Sequence, residues 1–307
     1  MRERTLLVLA RKFNDIFYSI STPEWKIFNR HVLVIFANDI FEKYIPFREL
    51  FDDIIVFDSP KRRINGINVI REIRARKDAL ECEAVILSNI VLVANQYLIN
   101  ISRCRYIFLL EDGLMNYSDF RPSDSRMKSV VQWVLGINQR KLIERIYRTY
   151  LLIPDMARFY GGVRAILKPM TIQPIGENIL SKIEGKKIFV GQCLYRFGYI
   201  SIGEYNELVN RIIKKYDIDC YLPHAFALDE ERIDCPILDL GQLGITLEFL
   251  APQTSFTLYS FFSSVLYTTR VINPDIRTYQ IHIPELSMVY GIPILKEYCS
   301  GIIDPNL

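Results

Sequence analysis

The chain has 307 residues, half of them hydrophobic and 24% charged, with a net charge of +3. That profile excludes a disordered, fibrous or membrane-embedded chain, and the length suits two domains of ~150 residues better than one. No stretch reaches the ~18 uninterrupted apolar residues that a membrane-spanning helix needs.

Met1-Arg2-Glu3-Arg4-Thr5 leads into an apolar run, Leu6 to Ala10, that Arg11 and Lys12 end at once. The run is too short for a signal peptide and reads as a first buried strand. Further runs follow at His31–Ala37, Asp53–Asp58, Ala84–Asn89 and Arg105–Leu110, rich in Val, Ile, Leu and Phe. Short runs of this kind are what strands buried on both faces of a parallel sheet look like. Ile64–Lys77 and Val91–Ile101 between them have helical spacing. Strand and helix alternate, which predicts an α/β domain.

From Ser125 to Met170, nine Lys or Arg face only Glu144 and Asp155, so this segment carries +7 and the remainder of the chain −4. Arg126, Lys128, Arg140, Lys141, Arg145, Arg148, Arg158, Arg164 and Lys168 alternate with apolar residues that include Val130, Trp133, Val134, Tyr147, Tyr150 and Leu152. The interleaving predicts amphipathic helices. Either they rest on an anionic lipid surface or they form a helix pair with a solvated basic face. No RNA-binding motif accompanies the charge, and the long apolar runs argue against nucleic acid as a partner.

Pro169 and Pro174, with the polar stretch to Gly185, mark a linker. The predicted division is a domain over 1–170, containing the basic helical segment 125–168, and a second over 180–307. In the second, Lys187–Val190, a helix near Glu204–Tyr216, Asp219–Leu222 and Ile237–Leu240 repeat the alternation, with further elements to Ile283. Two such domains in tandem imply a cleft where ligands meet strand carboxyl ends. The six cysteines (Cys82, Cys104, Cys193, Cys220, Cys235, Cys299) lack close pairs and read as reduced cytosolic thiols, mostly in strands. His31, His224 and His282 have no ligand-like spacing, so no protein-held metal is expected.

Five features could carry chemistry. Tyr106–Leu110 runs directly into Glu111-Asp112-Gly113, placing two acids at a strand's carboxyl end with a glycine for a sharp exit. One acid can face a ligand while the other is held by backbone or basic partners; alternatively both only solvate a turn or cap a helix. Tyr221-Leu222-Pro223-His224 ends another short strand in an imidazole, able to stabilise charge on a departing phosphate or to serve as an ordinary polar residue. Ser263 and Ser264 stand where a helix begins, either to hold phosphate or to cap the helix. Gly191-Gln192 closes the Lys187–Val190 strand, where a glycine lets backbone amides approach a ligand or simply turns the chain. Glu248, in the stretch Gly244–Leu250, sits in a predicted helix, either as a ribose acceptor or on a solvated face.

The order acid–acid–glycine, then histidine, then Ser-Ser resembles the bacterial sialyltransferases, most of all glycosyltransferase family 52, the lipooligosaccharide group, with the capsular polysialyltransferases as relatives. The resemblance is strongest over about 103–120 and 185–270, where Lys186-Lys187-Ile188-Phe189-Val190-Gly191-Gln192, Tyr205–Tyr216 and Tyr221–His224 look like the family's nucleotide-binding half. It implies a GT-B type α/β fold of two Rossmann-like domains facing a central cleft, the first on the acceptor side and the second binding a CMP donor. It further implies inverting transfer of sialic acid from CMP-sialic acid to a galactose-containing glycan, without metal or other cofactor, in lipopolysaccharide, O-antigen or capsule synthesis.

Carried over by residue, Glu111 resembles the general base, with Asp112 supporting it or sharing the task. His224 matches the histidine on the donor phosphate, Ser263 and Ser264 the paired hydroxyls there, Gly191 and Gln192 the nucleotide site and Glu248 a ribose-binding acid. The family pattern has proline after the histidine; this chain has Ala225, which relaxes the backbone there and leaves the imidazole available. A nucleoside monophosphate leaving group gains one negative charge, which imidazole, hydroxyl and amide donors can stabilise without a cation. The implied setting is cytoplasmic, at the inner face of the plasma membrane if the acceptor is lipid-linked, and a homodimer is compatible with it. A transferase for another CMP-activated nonulosonic acid or for Kdo would use the same donor site, and a catalytically silent nucleotide- or glycan-binding relative would keep the fold.

Overall fold

A computed structural model describes residues 3–36, 45, 47–57, 67–118, 126–171, 177–224, 227–240, 245–283 and 292–304. The chain divides into two compact units: residues 1–112 with 118–170, and residues 113–117 with 171–307. Each is an α/β unit built on a parallel sheet, and together they make a GT-B type fold.

The first unit contains strands β1 (Thr5–Ala10), β2 (Arg30–Phe36), β3 (Asp53–Phe57), β4 (Ala84–Leu87), β5 (Tyr106–Leu110), β6 (Ile146–Leu151) and β7 (Val163–Ile166). Its helices are α1 (Phe13–Ile20), α2 (Ile67–Ala75), α3 (Val93–Ile101), α4 (Arg126–Val134) and α5 (Gln139–Glu144). The sheet runs β3-β2-β1-β4-β5-β6-β7, parallel at every pairing. β1 and β4 are buried along their whole length and, Thr5 apart, apolar, so neither shows the alternation of a half-exposed strand. The order reverses between β1 and β4, and ligands of open α/β sheets gather outside the carboxyl ends at such a reversal.

The second unit contains β8 (Lys187–Val190), β9 (Cys220–Leu222), β10 (Thr257–Ser260), β11 (Arg277–Ile281) and β12 (Gly301–Ile303). Its helices are α6 (Glu177–Ile183), α7 (Ile202–Tyr216), α8 (Leu247–Leu250), α9 (Val265–Ile272) and α10 (Ile292–Tyr298). The order β12-β11-β10-β8-β9 is again wholly parallel and reverses between β8 and β10. α7 follows from local chemistry. The Ser201 hydroxyl accepts the Glu204 amide at 3.2 Å and the Glu204 carboxylate accepts the Ser201 amide at 2.7 Å, a reciprocal cap. Tyr205, Val209, Ile212 and Ile213 form its buried face.

The structure corrects three expectations. The basic segment is not helical throughout: only α4 and α5 are helices, whereas Ile146–Leu151 and Val163–Ile166 are strands of the first sheet. The aromatic and β-branched residues of Ile146–Leu151 suit a pleated surface, and sheet pairing with β5 outweighs the helical reading. Ile237–Leu240 forms no strand, only a single bridge from Ile237 to Tyr221, because Pro236 has no amide with which to extend the ladder. Of the cysteines only Cys220 lies in a strand; all six are free thiols, the others sitting in turns and loops where the chain packs beside the sheets. Among the described residues no helix is long and apolar enough to cross a membrane.

Candidate functional site

In the first unit, the carboxyl ends of β1, β4 and β5 bring together a charged group. β1 delivers Arg11 and Lys12, and α1 opens one residue later with Asp15 in its first turn. Asp15 is buried, and one oxygen accepts the amides of Arg11 at 2.7 Å and Lys12 at 3.1 Å, closing the β1–α1 turn. Burial pushes the Asp15 carboxyl above its ordinary range; the Lys12 charge and the Arg11 amide pull it back, and the nearby Asp112 carboxylate adds to the rise. Burial likewise lowers the Arg11 guanidinium, against the attraction of Asp15 and Asp112.

The two adjacent acids after β5 lie in different surroundings. Glu111 is 1% exposed, and its carboxylate accepts the Leu152 amide at 2.8 Å, tying the end of β5 to the end of β6. Asp112 keeps 12% of its side chain exposed and is held at both oxygens, by the Lys12 ammonium at 2.7 Å and the Asn89 amide at 3.1 Å. Asn89 comes from the end of β4 and is itself fixed, its side-chain carbonyl accepting the Val91 amide at 3.1 Å.

Gly113 begins the short stretch 113–117 that belongs to the second unit. Its φ of +70° is strained for any residue with a Cβ, and a Cβ there would lie 2.9 Å from that of Ser264 and 3.0 Å from its hydroxyl. Glycine is needed on both counts. Four residues on, the ring of Tyr117 meets that of Tyr267 edge-on at 5.4 Å, so the stretch is clasped against the start of α9. The glycine of the first motif therefore rests on a serine of the third.

Around the second unit's reversal, Gly191 and Gln192 close β8. The missing Cβ of Gly191 makes room for Tyr221, whose hydroxyl would sit 2.2 Å from it, and the Gly191 amide donates to the Leu222 carbonyl at 2.8 Å. The Gln192 side-chain carbonyl accepts the Phe262 amide at 2.8 Å and faces the Ser260 hydroxyl at 3.4 Å, joining the ends of β8 and β10 across the reversal. Its backbone amide donates to the Tyr205 hydroxyl at 3.1 Å. Tyr205 meets Tyr221 at 3.0 Å, and Tyr221 and Tyr195 donate to the two oxygens of Glu231 at 2.8 and 2.6 Å. The glycine is thus demanded by this hydroxyl network.

Ser264 precedes α9 without making a side-chain cap, while the Ser263 hydroxyl accepts the Val265 amide at a long 3.4 Å. Helix capping accounts for neither hydroxyl well. His224 follows β9 at an exposed position; desolvation and then the Arg196 cation lower its pKa from 6.5. Ala225 and Gly244 lie outside the described residues. Glu248 is in α8 as expected but buried, where the Thr268 hydroxyl of α9 donates to it at 3.1 Å. Its solvated-face reading is thereby corrected: α8 packs that side on α9. Among the described residues no three His, Cys, Asp or Glu side chains group as a metal would require.

Arg11, Lys12, Asp15 and Asn89 are additions that sequence reading passed over. The signal was present: Arg11 and Lys12 end an apolar strand just as Glu111 and Asp112 do. The hydroxyl network around Glu231 had none, since Tyr195, Tyr205, Tyr221 and Glu231 meet only through packing of distant segments.

No family model matches the chain, and no curated protein matches it in sequence. Solved structures do. A UDP-GlcNAc 2-epimerase from Neisseria meningitidis, bound to UDP-GlcNAc, is similar with a TM-score of 0.58 at 10% identity over 99% of this chain and 88% of its own. The UDP-GlcNAc 2-epimerase of Methanocaldococcus jannaschii gives 0.53 at 12% identity over 99% and 89%. A UDP-N-acetylglucosamine 2-epimerase from Rickettsia bellii gives 0.50 at 13% over 92% and 80%. At such identities the likeness establishes the fold.

Proposed function

We propose that the chain is an inverting, metal-independent glycosyltransferase that moves sialic acid from CMP-sialic acid to a galactose-containing acceptor in surface polysaccharide synthesis. The observation that supports this reading is the packing of Gly113 on Ser264: the glycine that ends the acid–acid–glycine motif lies against a serine of the Ser-Ser motif. The fold shared with proteins named for a nucleotide sugar supports a nucleotide-sugar donor.

In this reaction the acceptor oxygen attacks the anomeric carbon while the bond from that carbon to the phosphate oxygen breaks, and the electron pair leaves with CMP. The acceptor proton passes to a carboxylate. Asp112 suits that role better than Glu111: it retains exposure and is oriented by Lys12 and Asn89, whereas Glu111 is buried against the Leu152 amide and positions the strand end. Ser263, Ser264 and the His224 ring act as donors to the phosphate, with Gly191 and Gln192 beside the nucleotide. The first unit takes the acceptor and the second the donor.

Purified protein given CMP-sialic acid and a galactose-terminated glycan in EDTA should release CMP and form sialylated product. Turnover only with another CMP-activated nonulosonic acid or with Kdo would move the donor within the same class. CMP binding without turnover on any acceptor would mark a binding-only relative, and turnover of UDP-GlcNAc instead would overturn the proposal in favour of 2-epimerase chemistry.

A further inference from the structure

Glu231 lies in an irregular segment outside every strand and helix, yet its place is set by α7. Two asparagines one helical turn apart hold the backbone on either side of it. Asn206 donates to the Glu230 carbonyl at 3.3 Å and accepts the Arg232 amide at 3.1 Å; Asn210 donates to the Arg232 carbonyl at 3.0 Å and accepts the Asp234 amide at 2.8 Å. A side-chain amide meets a donor and an acceptor at once, so the pair stands in for a strand ladder. The carboxylate is thereby delivered to Tyr195 and Tyr221.

The direction of every hydrogen bond in this network follows from counting protons. Burial pushes the phenols of Tyr195, Tyr205 and Tyr221 up, so each keeps its one proton. A carboxylate only accepts, and Glu231 takes the protons of Tyr195 and Tyr221 at its two oxygens. Tyr221 then has only lone pairs to offer Tyr205, so Tyr205 is the donor in the 3.0 Å contact between them. The Tyr205 oxygen is left to accept the Gln192 amide, and the Tyr195 oxygen the Leu228 amide. Two relays of one polarity thus run from backbone amides to a single carboxylate. The longer begins at Gln192, whose side-chain carbonyl holds the Phe262 amide at 2.8 Å, one residue before Ser263. Tyr221 stands in β9, three residues before His224, and Tyr195 precedes Arg196, the cation that acts on His224. An anchor that served stability alone would be cheaper in apolar side chains, because phenols and a carboxylate must be desolvated; a fully paired polar network is what fixes one arrangement. We infer that Glu231 is a positioning residue for the donor: through Tyr221, Tyr205 and Tyr195 it holds Gln192, the approach to Ser263 and the approach to His224 in one arrangement before the nucleotide arrives. This rests on the proposed CMP site and adds the group that organises it.

Calorimetry with CMP on the whole chain tests it. Glu231→Leu removes both acceptors from the Tyr195 and Tyr221 hydroxyls, and CMP affinity should fall about thirtyfold. Tyr205→Phe cuts the longer relay at Gln192 and should cost about tenfold; because it leaves the carboxylate paired, it keeps the test open if Glu231→Leu does not fold. Glu231→Gln keeps one acceptor oxygen and sets an amide donor in place of the other, so one phenol must turn, for a loss of about threefold. Asn206→Ala with Asn210→Ala loosens the same segment from α7 but leaves the carboxylate and phenols intact. That pair should lower the melting temperature while CMP affinity stays near wild type. In transfer, the Glu231 variants should raise donor KM and leave acceptor KM unchanged, a split that loss of folded protein does not produce. Circular dichroism checks the fold of each variant. Wild-type protein that binds no CMP would overturn the donor reading and this inference with it. Wild-type affinity retained in Glu231→Leu and Tyr205→Phe, or lost to the same extent in the asparagine pair, would overturn this inference alone.

Discussion

The two sheet reversals differ in what they offer a ligand. In the first unit, five ionisable side chains crowd the strand ends: Arg11, Lys12, Asp15, Glu111 and Asp112. In the second, the strand ends present Ser260, Ser263, Ser264, Gln192 and His224, while Glu231 is held by Tyr195 and Tyr221 and Glu248 by Thr268. The contrast suits a division of labour. Removing a proton from a hydroxyl needs a carboxylate, whereas holding a phosphate needs neutral or positive donors.

The largest effect should come from breaking the charged side. Asp112→Asn keeps the hydrogen-bonding shape but cannot accept a proton, and transfer should fall about 10²–10⁴-fold, the range typical of a lost general base. Binding of CMP, measured by calorimetry, should stay near wild type. Glu111→Gln should instead lower stability while leaving measurable turnover. Complete loss in Glu111→Gln with full activity in Asp112→Asn would reverse the assignment of the two acids.

Much of this contrast is readable in the sequence, for a physical reason. β1 to β5 are largely apolar runs flanked by polar residues, so a strand end is marked where the apolar run stops, and Glu111-Asp112 and Arg11-Lys12 stand at those marks. α1 leaves a mark that the tertiary fold then overrides: Phe13, Ile16, Phe17 and Ile20 recur at helical spacing opposite Asn14, Asp15 and Ser19, yet Asp15 and Ser19 are buried as well, so the polar side does not face solvent throughout. Ile146–Leu151 misleads, its basic and apolar residues fitting an amphipathic helix until pairing with β5 decides for a strand. Contacts between remote segments, such as Lys12 with Asp112 or Tyr221 with Glu231, are set by topology and leave no local pattern.

A smaller effect should separate the states of His224. Its pKa in the empty protein lies below the ordinary 6.5, so the ring is neutral at pH 7 and takes up a proton only as pH falls further. An adjacent phosphate favours the imidazolium and should raise it. If His224 acts as an acid toward the leaving phosphate, kcat/KM, which reports the empty protein, should decline with rising pH earlier than kcat, which reports the donor complex. A ring resonance of His224 followed by NMR should move its titration upward on addition of CMP. His224→Asn should remove the limb and lower kcat about 10²–10³-fold. Identical titration with and without CMP would take the imidazole off the phosphate.

The smallest effect concerns Glu248, where a ribose contact and a structural tie make opposite demands. A ribose acceptor must present its carboxylate to the nucleotide, whereas the Glu248 side chain is buried and takes the Thr268 hydroxyl, linking α8 to α9 just behind Ser263 and Ser264. If the tie is its main work, Thr268→Val deprives the carboxylate of a donor inside the unit and should lower stability by about 1–3 kcal/mol. Donor KM should then move only as far as α9 shifts. A ribose contact predicts the converse: Glu248→Gln, which keeps an acceptor oxygen, would change donor KM while the melting temperature holds. The ratio of the two effects in these two variants decides between them, and a KM change in Glu248→Gln that vanishes with a deoxyribose donor would place the carboxylate on the sugar hydroxyl.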